Sequence, residues 1–369
     1  MALSPNYSWA EPDNSSLVKN GAADIRTLGD AIDTSVWNVG FGQAGKNKII
    51  NGDFRVNQRA FTSTTASNTF IYDRYQTRAT DGTSTFTANT FTAGSGPITS
   101  IPALNYLTIQ TTGQTLTGAR TAILQKIEDV RTFANQTATV SFYAKASAGT
   151  PSVAATISQI FGSGGSASVD LAGQKSAITT SWARYSFTFT IPSVTGKTIT
   201  SDSALWLFLY TSAGSDFNTS TASLGIQTAT IDIWGVQVEY GSKATPFQTA
   251  TGTIQGELAA CQRYYWRQTA SSLYNPFGIG TCTTTTAAQI LVYNPVPMRV
   301  APTSVEYSSL VVSDIRTYNA AVTSVSFAYN GTISSEVTFN VASGGVVDRP
   351  TMVRANNSTS AYLGMSAEL

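Results

Sequence analysis

The sequence predicts a mainly β protein with an N-terminal arm, one short helix and two β domains. Charged residues make up only 12% of the chain, about half of the roughly 25% typical of soluble domains, and Thr, Ser, Asn and Gln take their place. Apolar and polar residues alternate in many short segments, as in half-buried strands. The 369 residues also exceed one ordinary β domain. The predicted regions are 1–45, 46–248 and 249–369.

Residues 15–38 contain the one convincing helical pattern of the sequence. Val18, Ile25 and Ile32 recur at the same heptad position, and Leu28 lies at the intermediate position of that stripe. This is the spacing of a coiled-coil seam, and a helix so short is marginal alone in water. Two interpretations remain open: the stripe packs against a β domain of its own chain, or it forms a homotrimeric coiled coil.

Residues 46–248 alternate between strand-like segments and loops rich in Gly and Ser. Because no helical pattern separates these segments, we expect antiparallel sheets folded as a jelly-roll β-sandwich. The clearest strand patterns are TVSFYAKAS (139–147), WARYSFTFTIP (182–192), ALWLFLYT (204–211) and TIDIWGVQVEY (230–240).

Residues 249–369 are predicted to form a second, smaller β-sandwich. The segment ELAACQRYYWR predicts a short helical turn, and its aromatic end, Tyr264–Trp266, is expected to pack between the domains. The strand patterns that follow are AAQILVYNPVP (287–297), SVEYSSLVV (304–312), VTSVSFAY (322–329), SEVTFNVA (335–342) and SAYLGMSAEL (360–369).

Composition argues against several classes of function. The net charge is +1 and no long run of Lys or Arg occurs, which argues against nucleic-acid binding. No apolar run approaches the ~20 residues of a membrane span. The sequence has no His, the commonest general base and zinc ligand, so we expect neither an enzyme nor a cofactor. Cys261 and Cys282 are interpreted as buried small residues, with a disulfide as the alternative.

Several motifs, taken in order, resemble a module of bacteriophage tail proteins. The segment KIINGDF at 48–54 opens it, and IDIWGVQVE at 231–239, followed by ATPF at 244–247, closes it. The N-terminal Glu11–Pro12–Asp13–Asn14, with the helix after it, resembles a virion-attachment segment. Further motifs of the resemblance are NQR (57–59), YDRY (72–75), EL (257–258), CQRYY (261–265), PVPMR (295–299), AP (301–302) and YLG (362–364).

The resemblance implies a structural protein of a tailed-bacteriophage virion, usually trimeric, such as a tail or collar fibre. Its N-terminal arm would bind other virion proteins, and its outer domains would bind host surface polysaccharide. The central domain is similar to the jelly-roll carbohydrate-binding modules that accompany glycoside hydrolases. Two alternatives remain: a non-adhesive decoration, collar or baseplate protein, and a polysaccharide depolymerase, although no β-helix repeat is visible.

Sugar recognition requires aromatic faces beside planar hydrogen-bonding side chains. Tyr274, Asn275 and Phe277 lie in a loop-like stretch and are the predicted glycan-binding residues. The tryptophans within strand patterns, for which core packing is the favoured interpretation, are Trp182, Trp206 and Trp234.

Calcium is the one metal that the resemblance suggests, because related jelly rolls use it to tie the first strand to the last. The oxygen ligands would come from Asp53, Asp232 and Glu239. This pattern is incomplete, and Asp53 fits equally well as an acceptor of backbone N–H groups in a turn. The sequence therefore predicts no cofactor and leaves structural calcium open.

Overall fold

The computed structural model of the protein describes residues 2–3, 9–11, 17–39, 44–99, 101–314 and 317–369. Pro12, Asp13 and Asn14 of the predicted virion-attachment segment lie outside the described residues. In the part of the chain that is described, strands far outnumber helices, which confirms the predicted mainly β class.

The described part of the N-terminal region contains a small two-stranded ribbon and the predicted helix. The regular helix begins later than predicted, because its first turn is a 3-10 helix. The elements are β1 (Ala2–Leu3), β2 (Ala10–Glu11), the 3-10 turn Val18–Asn20 and α1 (Gly21–Val39).

The apolar stripe of this helical region faces solvent in the single chain. Val18 is 97% exposed and Ile25 is 65% exposed, and Ile32 is also exposed. Leu28 is half-buried. Within the chain, α1 contacts β2. The homotrimeric coiled coil stays a prediction, and the exposed stripe is the property on which it depends.

The strands of the central region form two antiparallel sheets that pack face to face. Their bounds are β3 (Ser63–Thr64), β4 (Tyr75–Thr80), β5 (Thr83–Thr90), β6 (Asn105–Thr112), β7 (Arg120–Glu128), β8 (Thr137–Ala146), β9 (Ser152–Ile160), β10 (Val169–Asp170), β11 (Gln174–Ala177), β12 (Ala183–Thr190), β13 (Ala204–Ala213) and β14 (Ala229–Tyr240). A 3-10 turn (Ser215–Phe217) and α2 (Asn218–Thr221) connect the last two strands.

We call the sheet with strand order β12-β8-β14-β6-β5-β3 the front sheet. The back sheet has the order β10-β9-β13-β7-β4, with β11 also paired to β9. Apolar residues of both inner faces, such as Phe142, Leu207 and Ile233, are fully or almost fully buried in one core. The alternation of apolar and polar residues produces this two-sheet sandwich, since every second side chain points inward.

The C-terminal region begins with a helix and continues with strands. The elements are α3 (Ile254–Gln262), β15 (Tyr265–Thr269), β16 (Pro276–Thr284), β17 (Ala287–Tyr293), β18 (Ser304–Ser308), β19 (Leu310–Ser313), β20 (Asn319–Asn330), β21 (Ser334–Val341), β22 (Pro350–Ala355) and β23 (Tyr362–Ser366).

The second β domain differs from the predicted sandwich, because its main sheet closes on itself. Strands β16-β17-β21-β20-β19-β22 form a closed barrel, and β15-β23-β18 form a separate small sheet. Closure comes from the pairing of β16 with β22, in which Ile279 lies opposite Met352. A closed sheet has no edge strands with unpaired backbone groups, which gives it an advantage over an open sandwich.

The predicted packing of Tyr264–Trp266 between the two β domains is confirmed for two of its aromatic rings. The guanidinium carbon of Arg74 lies 3.4 Å from the Tyr264 ring centroid, and that of Arg59 lies 3.5 Å from the Tyr265 ring centroid. Trp266 instead packs into the barrel core. The predicted boundary between residues 248 and 249 stays a prediction.

Two smaller expectations concern the cysteines and membrane insertion. Cys261 and Cys282 are buried and free, as interpreted from the sequence. Within the described residues, no helix has the length and apolar content needed to cross a membrane.

Candidate functional site

The outer face of the front sheet carries a row of polar side chains that crosses three strands. The strand register places Thr108 of β6 opposite Asp232 of β14, and Asp232 opposite Lys145 of β8. The Thr108 hydroxyl donates to Asp232 Oδ1 over 2.6 Å, and Lys145 Nζ lies 3.5 Å from Asp232 Oδ2. Asn89 extends the network by donating to the Thr108 hydroxyl. Asp232 is therefore fixed by neighbours on both sides.

A row of aromatic residues lies beside the polar row on the same face. The register places Trp234 opposite Tyr143, and their ring centroids are 5.6 Å apart. Arg184 of β12 lies opposite Tyr143, with its guanidinium carbon 5.7 Å from that ring centroid. Burial lowers the pKa of Arg184, and the nearby Tyr143 and Glu239 oppose that shift. Trp234 is fully buried, so it forms the base of this face.

Three half-buried rings, Phe91, Tyr106 and Trp182, lie over these rows; we call them the front aromatic cluster. Phe91 is 4.7 Å from Tyr106 and 5.5 Å from Trp182 between ring centroids, and Tyr106 meets Trp182 edge to face at 5.8 Å. Lys145 Nζ lies 5.4 Å from the Trp182 ring centroid. Burial, together with the charge of Asp232, raises the pKa of Tyr106. The cluster is thus connected to the polar row.

This arrangement combines exposed ring surface with fixed donors and acceptors. Partly exposed aromatic faces offer apolar contact, while Asp232 and Lys145 offer an acceptor and a donor within reach of the same surface. A ligand that is apolar on one face and rich in hydroxyl groups at its edges satisfies both requirements. Asp232 and Lys145 neutralise each other's charge, so this part of the face suits a neutral ligand.

Comparison with known proteins finds a family match within the jelly roll. Residues 104–207 match the carbohydrate binding domain family. This carbohydrate binding domain match includes Tyr106, Lys145 and Trp182 of the front face, whereas Phe91 and Asp232 lie outside it. No curated protein matches the chain.

Several solved structures resemble part of the chain at low similarity. A structure titled "CBM4 structure and function" is 19% identical with a TM-score of 0.29, covering 52% of this chain and all of that one. The CBM22-1 xylan-binding domain from Paenibacillus barcinonensis is 11% identical with a TM-score of 0.30, covering 55% and 99%. A tailspike protein of bacteriophage CBA120 is 15% identical with a TM-score of 0.30, covering 53% and only 22%. Such low TM-scores do not bear on function.

The three predicted glycan-binding residues lie elsewhere, on and beneath the barrel surface. Tyr274 is exposed, and the Arg354 guanidinium carbon lies 5.2 Å from its ring centroid. Asn275 is half-buried and accepts a hydrogen bond from the Ser271 hydroxyl. Phe277 is buried in the barrel core, so its expected exposure is wrong. Glycan binding at Tyr274 and Asn275 stays a prediction.

The three candidate calcium ligands do not form one site. Glu239 is buried and accepts from Gln237 and Thr245, while Asp232 is fixed on the front face. Asp53 is buried beside Arg55. Among the described residues, no group of three or more His, Cys, Asp or Glu side chains converges as a metal site. These donors therefore do not fit a calcium ion.

The sequence contained part of the signal for the front face. In TVSFYAKAS, alternation places Tyr143 and Lys145 on the face opposite Phe142. The core interpretation of the tryptophans is confirmed for Trp234, whereas Trp182 is half-buried within the front aromatic cluster. The sequence did not predict that Phe91 and Tyr106 contact Trp182. That contact depends on the pairing of strands that are far apart in the chain.

Proposed function

We propose that this chain is a non-catalytic, glycan-binding structural protein of a tailed-bacteriophage virion, displayed as a homotrimeric surface fibre. The observation that carries the glycan-binding part is the half-exposed front aromatic cluster above the Asp232–Lys145 pair. Residues 104–207, which contain much of this face, match the carbohydrate binding domain family. Aromatic faces and fixed polar groups are the features with which proteins bind amphipathic, hydroxyl-rich ligands.

The virion assignment is supported by the sequence motifs rather than by the front face. KIINGDF at 48–54 and the closing segment 231–239 resemble modules of phage tail proteins. In this proposal the N-terminal arm binds other virion proteins, and the β domains face the host surface polysaccharide. Three copies of one shallow site would bind a repeating polysaccharide much more tightly than one copy does.

Trp182→Ala tests glycan binding, and Trp206→Ala is the matched control on the back sheet, where the ring is also half-buried. A glycan array with the full chain first identifies an oligosaccharide, and isothermal titration calorimetry then measures its Kd. We expect Trp182→Ala to weaken binding at least about tenfold, which is ~1.4 kcal/mol, and Trp206→Ala to leave Kd unchanged. Absence of any glycan ligand, or equal losses in the two variants, would refute the proposal.

The trimer is tested by replacing both Ile25 and Leu28 with Asp. The control variant carries Arg26→Asp and Thr27→Asp, which lie outside the heptad stripe of the same helix. Mass photometry should give three times the 39.0 kDa of one chain for the wild type and the control. The stripe variant should give the single-chain mass, because a buried carboxylate is costly in a coiled-coil seam. A trimer that survives both stripe changes would exclude α1 as the assembly element.

A further inference from the structure

A cavity of about 570 Å³ lies where the jelly roll meets helix α3. Ile101, Pro102, Phe247 and Ile254 supply much of its apolar wall. The volume falls within the range of roughly 300–1,000 Å³ that is usual for small-molecule sites. Phe247 also packs against Trp234, with ring centroids 4.9 Å apart, so the buried base of the front face supports this wall.

The first two charged groups of the lining, Asp53 and Arg55, are paired with each other. Arg55 Nε lies 3.2 Å from Asp53 Oδ2, and the backbone N–H groups of both residues also interact with this carboxylate. The same guanidinium donates through Nη2 to the Pro102 carbonyl over 2.7 Å. Both oxygens of Asp53 are buried. A ligand in the cavity therefore finds no accessible acceptor on Asp53, and Arg55 is held from two sides.

The second carboxylate of the cavity, Glu257, is also bonded within the protein. Its Oε1 accepts from the backbone N–H and hydroxyl of Thr251, and its Oε2 accepts from the Asn51 N–H over 2.7 Å. The Thr253 hydroxyl, another polar group of the lining, caps α3 by accepting from the Gly256 N–H. These hydrogen bonds join α3 to the jelly roll, and they give each charged side chain among the described residues of the lining a protein partner.

A cavity with an apolar wall and paired charges selects its ligand by hydrophobicity. A charged ligand would lose hydration there without gaining a partner, which is costly, whereas an apolar body gains free energy by leaving water. We propose that this cavity binds a small uncharged organic molecule with a bulky apolar body. The site is separate from the front face, and the proposal does not depend on glycan binding.

Three probes that share one apolar cage test the proposal on the full chain at neutral pH: adamantanol, adamantylammonium and adamantane carboxylate. Titrations followed by saturation-transfer difference NMR should show millimolar or tighter binding of adamantanol and at least tenfold weaker binding of either ion. An excess of myo-inositol, an uncharged polyol, should not displace adamantanol. No binding of adamantanol, equal affinity for the alcohol and either ion, or displacement by myo-inositol would overturn the proposal.

Two variants of α3 locate the bound probe. Ile254 lines the cavity and Leu258 lies one turn further along α3, outside the lining, and their exposures are similar at 40% and 37%. Ile254→Trp should fill the cavity and weaken adamantanol binding at least tenfold, whereas Leu258→Trp should leave it unchanged. Unchanged binding in Ile254→Trp would place the probe elsewhere and reject this site. Loss of assembly in Ile254→Trp by mass photometry, with no probe binding to the wild type, would assign the cavity to a neighbouring copy and overturn the proposal.

Discussion

The two outer faces of the jelly roll both carry aromatic residues, yet they differ in what covers them. On the front sheet, Phe91, Tyr106 and Trp182 stay half-exposed beside charged groups. On the back sheet, Phe208 and Tyr210 are almost fully buried, whereas Trp206 in the same row is half-buried. Aromatic content alone therefore does not identify a binding surface; the decisive property is whether another segment of the chain already occupies the rings.

The composition of the central strands explains the difference. Strand β13, ALWLFLYTSA, is apolar on both faces, so it requires a layer on each side. The connection after β13 supplies the outer layer: Phe217 packs against Tyr210 at 6.1 Å between ring centroids, and Leu224 joins the same buried cluster. Strand β14 instead places Asp232 on its outer face, which keeps part of the front sheet in contact with water.

The largest effect should come from truncating the covered face. Phe208→Ala should reduce the free energy of unfolding by about 3–5 kcal/mol, the cost of removing a buried Phe. Phe91→Ala, the same change on the front face, should cost less than about 2 kcal/mol because this ring is only half-buried. Urea unfolding of both variants measures the two values. Equal losses of stability would show that the front aromatic cluster is part of the ordinary core.

The strands could be predicted from sequence because alternation is a local property. The barrel closure could not, since it depends on hydrogen bonds between β16 and β22, which are far apart in the chain. Phe277 shows a second limit. The register between these strands shifts between Pro276 and Gly278, and Phe277 at this irregularity is buried while Ile279 is exposed. A bulge of this kind reverses the facing of side chains and leaves little trace in sequence.

The front face illustrates the same limit for the site. Asp232 and Trp234 share one face by alternation, which the sequence reveals. Their neighbours Lys145 and Tyr143 come from a strand about ninety residues earlier, and register alone brings them together. The resemblance to carbohydrate-binding modules implied a sugar-binding surface, but the residues predicted for it, Tyr274, Asn275 and Phe277, belong to the second β domain and not to this aromatic face.

The domain junction differs from both faces in how its stability should depend on pH, because the carboxylate of Asp73 is buried there. Burial raises its pKa to about 6, opposed by Arg59 and by hydrogen bonds from Gln58. The folded state then binds a proton that the unfolded state releases between about pH 4 and 6. The free energy of unfolding should therefore fall as the pH rises through this window, by roughly 2–3 kcal/mol.

Asp73→Asn removes this titration while keeping an oxygen acceptor for Gln58. The difference in stability between wild type and Asp73→Asn, measured by urea unfolding at several pH values, should therefore change across the window and level off above it. A difference that does not vary with pH would show that Asp73 keeps an ordinary pKa. Phe208→Ala should retain the wild-type pH dependence, because its ring lies in the covered face and not at the domain junction that contains Asp73.

The smallest effect should come from the polar row of the front face. Asp232→Asn removes the ion pair with Lys145, a contact 3.5 Å long that is partly exposed, and so should cost less than about 1 kcal/mol of stability. The Asn oxygen still accepts from Thr108. If the carboxylate accepts a ligand hydroxyl, glycan affinity should fall several-fold, because hydrogen bonds to charged groups contribute more than those to neutral ones.

Asp170→Asn is the matched control, since Asp170 is an exposed carboxylate of the back sheet. Titration calorimetry with the oligosaccharide found for the wild type compares the two variants. A loss of affinity in Asp232→Asn alone would show that the polar row contacts the ligand together with the aromatic rings. Equal affinities in both variants, with a loss in Trp182→Ala, would mean that stacking alone holds the sugar and that Asp232 serves only to position Lys145 beneath Trp182.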